Sequence, residues 1–183
     1  MKIAIIGSGN IGGTLGSAWL RAGHDVRYGS RNPEPPESVS IAEAIEASDV
    51  AVLAIPGNAV AEFAENHGTA IAGKLVIDAT NRIGEARMSG AEHLVPHAPR
   101  YVRAFNSVGW EIMAEPGEAT MFWAGPEADT GTAEQLIADV GLRPIRVGDV
   151  DASDVVDGVG RLWLTLVFRA GYPRGIAFKL LGA

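Results

Sequence analysis

The chain has 183 residues, enough for one domain, and its 15 basic and 22 acidic side chains give a net charge of −7 that disfavours binding to nucleic acid or an anionic membrane. Hydrophobic residues make up 47% of the chain, so we expect a sizeable core rather than disorder. The sequence contains no cysteine, which excludes disulfide frameworks, thiolate metal sites and cysteine nucleophiles, and no apolar run is long enough for a membrane helix, so we expect a cytoplasmic protein.

Short apolar segments alternate with helical patterns along the chain. Strands are predicted at Lys2–Ile6, Asp25–Gly29, Val50–Ile55, Lys74–Asp78, Tyr101–Phe105, Ala119–Trp123 and Arg143–Val147. Helices are predicted at Asn10–Ala22, from a capping box at Ser40 to about Ala47, after Ile55 through Asn66, at Glu127–Val140 and at Asp151–Arg169. This order predicts one α/β domain over residues 1–183: a Rossmann-type, doubly wound, mostly parallel sheet with helices on both faces and a C-terminal helical segment.

A glycine-rich segment joins the first predicted strand to the first predicted helix. Its sequence, Gly7-Ser8-Gly9-Asn10-Ile11-Gly12, matches the G-x-G-x-x-G pattern. Gly7 permits a tight turn, Gly9 lets a pyrophosphate approach the backbone, and Gly12 lets the helix pack closely on the strand. The N-terminus of the helix offers free N–H groups to the phosphates. A plain strand–turn–helix corner needs no glycine at the second and third positions, so the pattern indicates dinucleotide binding.

The end of the second predicted strand indicates which dinucleotide binds. An NAD site uses an acidic residue there to accept from the ribose 2′-hydroxyl, but this chain has Ser30 and Arg31, and Asp25 lies at the start of the strand. A guanidinium and a hydroxyl suit a 2′-phosphate. A solvated surface position is the usual alternative for an arginine, but the location of Arg31 favours NADP(H).

Several segments together resemble a known family. They are the glycine loop, Gly29-Ser30-Arg31-Asn32-Pro33, Val52-Leu53-Ala54-Ile55-Pro56, Lys74-Leu75-Val76-Ile77-Asp78, Arg103-Ala104-Phe105-Asn106 and Gly175-Ile176-Ala177-Phe178-Lys179-Leu180-Leu181. Over nearly the whole chain they resemble the NADPH-dependent reductases of the 5-deazaflavin coenzyme F-420. Some of them also resemble the cytosolic oxidoreductase domain of six-transmembrane metalloreductases.

The resemblance implies contacts from particular residues to NADP(H). It implies that Ser8 to Ile11 bind the pyrophosphate, that Ser30 and Arg31 bind the 2′-phosphate, and that Ile55 and Asn81 line the dinucleotide. The further basic residue that the family often has after the Ser-Arg pair is replaced here by Pro33-Glu34-Pro35, in a shorter loop. Coenzyme F-420 or a flavin is the implied redox partner.

Hydride transfer between such cofactors requires no side-chain nucleophile, and no catalytic side chain or metal site is predicted. The four histidines, His24, His67, His93 and His97, are interpreted as ordinary surface or loop residues. Asn106, Ser107 and Trp110 follow a predicted strand at its carboxyl end and are candidate contacts to the acceptor. For Asn106 a chain-turning role, and for Trp110 core packing, are equally compatible with the sequence.

The last predicted helix is strongly amphipathic. One stripe is predicted to contain Val155, Val159, Leu162, Trp163 and Leu166, and Asp154, Asp157 and Arg161 are expected to point elsewhere. Packing on the sheet and a subunit interface both account for the stripe, and we expect a homodimer. Residues 151–183 would then complete the core, the acceptor site or that interface.

Three functions are compatible with this sequence. The first is an NADPH-dependent oxidoreductase that transfers hydride to or from a deazaflavin or flavin-type acceptor. The second is a small-molecule imine or ketone reductase, although such enzymes complete their substrate site with a long helical domain. The third is a non-catalytic NADPH-binding sensor, since hydride transfer leaves no side-chain signature by which an enzyme is recognised.

Overall fold

The computed structural model describes residues 1–182. Its strands are β1 (Lys2–Ile6), β2 (Asp25–Ser30), β3 (Val39–Ser40), β4 (Val50–Leu53), β5 (Leu75–Asp78), β6 (Tyr101–Arg103), β7 (Thr120–Ala124) and β8 (Arg143–Gly148). Its helices are α1 (Asn10–Arg21), α2 (Ile41–Glu46), α3 (Val60–His67), α4 (Ala91–Leu94), α5 (Trp110–Ala114), α6 (Thr130–Asp139) and α7 (Ser153–Phe168). Short 3-10 turns precede α3, α6 and α7 at Gly57–Ala59, Glu127–Asp129 and Val150–Ala152.

The strands form one sheet in the order β3-β2-β1-β4-β5-β6-β7-β8. Neighbouring strands are parallel except β6 and β7, which are antiparallel and pair at Arg103 opposite Ala124. The predicted Rossmann-type, mostly parallel sheet is therefore confirmed. The carboxyl ends of β1, β2, β4, β5 and β6 lie at one edge, which is where folds of this kind bind ligands.

The central strands are apolar on both faces because helices cover both faces. Alternate residues of β1 belong to different cores: Ile3 and Ile5 pack on the side of α1 and α6, whereas Ala4 and Ile6 pack on the side of α2 and α3. The capping box predicted at the start of α2 is present, since Ser40 and Glu43 each accept a hydrogen bond from the other's backbone N–H. Both helical layers therefore hold the sheet that carries the ligand-binding edge.

Helix α7 buries a different face from the predicted one. Its buried residues are Ser153, Val156, Asp157, Gly160, Trp163 and Val167. Trp163 of the predicted stripe is buried, whereas Val155 and Leu162 are 59% and 51% exposed and do not pack on the sheet, so for these two residues the subunit interface stays a prediction. The expectation that Asp157 points away from the buried face was wrong. The physical reason is a buried ion pair: Asp157 turns inward to meet Arg103, and this rotates the helix so that part of its apolar surface faces solvent.

Candidate functional site

The loop between β1 and α1 is shaped by two glycines that no other residue replaces without strain. Gly7 has φ of +103°, and a Cβ there would lie 2.6 Å from the carbonyl oxygen of Ala54. A Cβ on Gly12 would lie 1.9 Å from the carbonyl oxygen of Gly7. Gly9 differs, because a Cβ there would meet no atom within 4 Å. The chain thus leaves open space in front of Gly9, at the start of α1.

The N-terminus of α1 faces this open space. Gly9 is its N-cap, no side chain caps the helix, and its first turn contains no acidic residue. The first backbone N–H groups of an α-helix have no partner within the helix, and the helix dipole places positive potential at them. Ser8 lies exposed beside them. An anion at this position would gain hydrogen bonds without displacing any side chain.

At the end of β2, Ser30 and Arg31 have different surroundings. The Ser30 hydroxyl donates to the Asn32 carbonyl oxygen at 2.9 Å and accepts from the Asn32 N–H at 3.1 Å. Arg31 is exposed and forms no hydrogen bond or ion pair with any residue in 1–182. The guanidinium is therefore free to bind an anion at the carboxyl edge of the sheet.

The loops after β1, β4 and β5 lie against one another at this edge. A Cβ on Gly7 would lie 3.3 Å from Cγ2 of Ile55, and a Cβ on Gly57 would lie 2.5 Å from the carbonyl oxygen of Asn81. Ile55 and Asn81 are both half-buried. The edge thus brings the glycine loop, Ile55 and Asn81 into one continuous row.

The Asn81 side chain is held by two partners of opposite character. Its Nδ2 donates to the carbonyl oxygen of Asn106 at 3.1 Å, and its Oδ1 accepts from Nη2 of Arg103 at 3.2 Å. Phe105, the residue before Asn106, has φ of +62°, an uncommon conformation for a residue other than glycine. This turn ends the path of β6 and brings the Asn106 carbonyl to Asn81.

Behind Asn81 lies a fully buried group of charges. Arg103 has no exposed surface, and its Nε donates to Oδ1 of Asp157 at 2.8 Å. Its Nη1 lies 3.4 Å from Oδ1 of Asp78 and donates to the carbonyl oxygens of Asp78 and Thr80. Burial alone would lower the pKa of Arg103, but Asp78, Tyr101 and Asp157 together raise it, so the guanidinium stays charged.

Both oxygens of the buried Asp78 carboxylate also accept hydrogen bonds. Its Oδ2 accepts from the Tyr101 hydroxyl at 2.7 Å and from the Gly90 N–H at 2.6 Å, and its Oδ1 accepts from Thr80. Burial, followed by the Asp78 charge, raises the pKa of the Tyr101 hydroxyl well above its usual value. That hydroxyl therefore stays protonated and remains a donor.

The three candidate acceptor residues lie in different surroundings. Asn106 and Ser107 are each 1% exposed; the Ser107 hydroxyl lies 3.8 Å from Sδ of Met121, and α7 packs on Asn106. Trp110 is half-exposed at the start of α5 and lines a groove of about 510 Å³. The other residues lining this groove are Ser8, Gly9, Asn10, Gly13, Thr14, Ser17, Arg21 and Ala114. Trp110 therefore lies beside the glycine loop rather than with the other two side chains.

Metal-binding clusters and membrane-spanning helices are both absent from residues 1–182. Within that range, no three His, Asp or Glu side chains are grouped so as to hold a metal ion. Of the described helices, none combines the length and apolarity needed to cross a bilayer.

Arg103 and Asp157 are the residues that sequence reasoning missed. The sequence pattern presents Arg103 only as part of a motif, and the helical periodicity places Asp157 away from the apolar stripe of its helix. A signal was present, because an arginine within an apolar strand and an aspartate beside an apolar helical stripe each require a partner if they are buried.

Comparison with known proteins supports the resemblance found in the motifs. Residues 2–82 match the family NADP oxidoreductase, coenzyme F420-dependent. The chain is also 26% identical over 176 residues to metalloreductase STEAP3 of Rattus norvegicus, a match that covers 86% of this chain. It spans only 36% of the length of that curated relative. The resemblance found in the motifs is thus confirmed as a similarity, and the match to the family extends over residues 2–82.

Solved structures share the fold. A protein of Arthrobacter sp. FB24, provisionally named an F420-dependent NADP-reductase, superposes with a TM-score of 0.83 at 22% identity, over 98% of this chain and 99% of its own. The imine reductase of Streptomyces aurantiacus gives 0.70 at 16% identity, over 92% and 62%. Plasmodium falciparum pyrroline carboxylate reductase with NADP bound gives 0.64 at 14% identity, over 95% and 71%.

Proposed function

We propose that this chain binds NADP(H) and transfers hydride between it and a deazaflavin or flavin-type acceptor such as coenzyme F-420. The observation that carries the proposal is the uncapped N-terminus of α1 facing the open space at Gly9, with the unpaired Arg31 at the same edge of the sheet. A phosphorylated dinucleotide is the ligand class that uses both features.

Particular residues would hold each part of NADP(H). The backbone from Ser8 to Ile11 would donate hydrogen bonds to the pyrophosphate, and Ile55 and Asn81 would line the remainder of the dinucleotide. When bound, NADPH supplies the hydride. The protein then has to hold the ring, exclude water and keep the acceptor in contact.

Arg31 supports NADP(H) over NAD(H). The guanidinium has no competing partner among residues 1–182, so binding a 2′-phosphate breaks no existing ion pair. The Ser30 hydroxyl lies next to it and can rotate from Asn32 to donate to the same phosphate.

For the acceptor, the support comes from Trp110 and its groove. A half-exposed indole beside the glycine loop offers a flat apolar surface, as a tricyclic ring system requires. Asn106 would act here through its backbone carbonyl on Asn81, whereas contact of the Ser107 side chain with an acceptor requires the loop after β6 to open.

A homodimer forms part of the proposal. Val155, Leu162 and Phe168 are 59%, 51% and 63% exposed on or beside α7, and Tyr172 is 55% exposed in the segment that follows. Val155 and Leu162 are seven positions apart and therefore lie on one face of α7, and exposed apolar side chains on one face favour an interface between subunits.

The decisive experiment compares Gly9→Ala with Gly131→Ala by calorimetry. A methyl group on Gly9 meets no protein atom, so we expect Gly9→Ala to fold, with a melting temperature lowered only as far as alanine is a poorer N-cap than glycine. It would occupy the space reserved for the pyrophosphate and weaken NADPH binding by about tenfold or more. A Cβ added to Gly131, in the first turn of α6, would also meet no atom within 4 Å, and the alanine variant should bind NADPH normally. Equal NADPH binding by the two variants would contradict the proposal.

Acceptors are tested with the wild-type protein. Oxidation of NADPH is followed with the deazaflavin, FMN, ferric chelates and small imines or ketones as separate acceptors. Turnover with a deazaflavin or flavin is the expected result. Turnover of imines alone identifies the reductase alternative, which the imine reductase fold similarity favours, and NADPH binding without any turnover identifies a sensor.

A further inference from the structure

Asn81 has an amide whose orientation is set by its two partners. The guanidinium of Arg103 carries only donors, so it selects Oδ1, and the backbone carbonyl of Asn106 is only an acceptor, so it selects Nδ2. The amide cannot turn over without placing donor against donor and acceptor against acceptor. Asn81 thus retains one free N–H and one free lone pair in a fixed arrangement at a half-exposed position.

Arg103 is itself held in place by α7. Asp157 accepts from Arg103 Nε at 2.8 Å through Oδ1. Its Oδ2 accepts from the backbone N–H groups of Met88 and Ser89 at 3.1 and 2.9 Å. One carboxylate therefore joins β6, helix α7 and the far end of the loop that begins at Asn81.

This loop is closed at its base as well. The Arg82 N–H donates to the Met88 carbonyl oxygen at 2.9 Å, so the residue after Asn81 and the residue bound by Asp157 are directly linked. The three residues involved are at most 2% exposed: Asp157, Arg103 and Met88. Water does not compete with these hydrogen bonds, which makes the arrangement rigid.

We propose that Asp157 and Arg103 are positioning residues that hold Asn81 to bind the nicotinamide riboside half of NADP(H). The free N–H and lone pair of Asn81 match a ribose hydroxyl, which both accepts and donates. Asp157 and Arg103, being buried, act through Asn81 and do not touch the ligand. This inference rests on the proposed binding of NADP(H).

The test uses two ligands, NADPH and adenosine 2′,5′-bisphosphate, which keeps the phosphorylated adenosine but lacks the nicotinamide riboside. In Asp157→Asn an amide replaces a carboxylate that accepts from Arg103 on one side and from the Met88 and Ser89 N–H groups on the other, so the donors on one side lose their acceptor. We expect NADPH binding to weaken by about tenfold or more, with binding of the bisphosphate changed by less than about twofold. Asp154→Asn, one turn away on the exposed side of α7, is the matched control and should change neither.

A second comparison shows whether Asp157 acts through Asn81. If it does, Asp157→Asn should cause no further loss of NADPH binding in an Asn81→Ala background. Equal weakening of both ligands, or a full additional loss in that background, would overturn the inference. Wild-type protein that binds neither ligand would instead overturn the proposed function.

Arg103→Lys provides the test if Asp157→Asn does not fold. Lysine keeps a positive charge near Asp78 and Asp157 but lacks the forked donors that reach Asn81 at the same time. The same selective loss of NADPH binding is expected. The stereochemistry of hydride transfer from NADPH deuterated at C4 is a further readout, because a loosened nicotinamide riboside would reduce its selectivity whereas a purely structural defect would not.

Discussion

The two ends of the ligand-binding edge are built differently. At the carboxyl end of β2, which we call the Arg31 end, an exposed arginine stands without a partner among residues 1–182. At the carboxyl ends of β5 and β6, which we call the Arg103 end, an arginine with no exposed surface is enclosed by two carboxylates and by Asn81. An exposed, unpaired charge can still form an ion pair with a ligand. A buried charge is already paired with its neighbours, and those ion pairs hold the neighbouring side chains in place. The first end therefore suits charge recognition and the second suits orientation.

The largest expected effect is on the stability of the Arg103 end. Arg103→Met leaves Asp78 and Asp157 buried without their cation, and removal of one partner from a buried ion pair costs about 3–5 kcal/mol of unfolding free energy. Denaturant unfolding measures the loss. Arg87→Met, at an exposed and loosely paired arginine, should change stability by less than about 1 kcal/mol. An Arg103→Met variant as stable as this control would remove the contrast between the two ends.

At the Arg31 end the expected effect is on affinity. Arg31→Ala should lose roughly 1.5–3 kcal/mol of NADPH binding, because a charged hydrogen bond to the 2′-phosphate is lost, while NADH binding and stability stay unchanged. Titration calorimetry with both dinucleotides measures the difference. Arg27→Ala, at an exposed arginine within β2, is the control. Equal affinities of the wild-type protein for NADH and NADPH would contradict the assignment.

Helix α2 follows the loop of the Arg31 end and depends on its capping box. Ser40→Ala removes the hydroxyl that accepts from the Glu43 N–H, and we expect a loss of about 1 kcal/mol of unfolding free energy. Ser38→Ala, in the preceding loop, provides a comparison outside the helix. The melting temperature of Ser40→Ala should fall measurably below that of this comparison variant, with NADPH affinity retained. No difference between the two would show that the cap contributes nothing to the stability of this end.

Salt should produce the smallest effect and should act on one end alone. Raising the ionic strength screens the exposed Arg31, so the preference for NADPH over NADH should fall by up to about 1 kcal/mol. The cost of Arg103→Met should stay constant over the same range, because water and ions do not reach that pair. A preference independent of salt would indicate that Arg31 does not bind the phosphate.

Sequence reasoning named the residues of the Arg31 end as candidates and missed those of the Arg103 end. The physical reason is how far apart along the chain the residues of each end lie. The glycine loop, Ser30 and Arg31 are proposed from residues that are close to one another along the chain, and a short motif records such local order. Arg103 and Asp157 are 54 positions apart and meet only because α7 crosses the edge of the sheet. The assumption that the apolar residues of a helix face the core was also wrong for part of α7, because the ion pair between Arg103 and Asp157 determines which face of the helix is buried. The antiparallel direction of β7 likewise could not be predicted, because the pattern of apolar segments does not show in which direction a strand runs.

That reversal divides the sheet into two plates. The parallel plate from β3 to β6 and the pair β7–β8 share a single paired position, Arg103 with Ala124, and next to it the Phe105 N–H donates to Sδ of Met121 at 3.2 Å, a weak acceptor. Few hydrogen bonds would have to break for the plates to part along this line. The line between the plates passes directly beside the residues proposed to orient the nicotinamide riboside, and the two plates are held together there by side chains of one apolar core rather than by strand pairing.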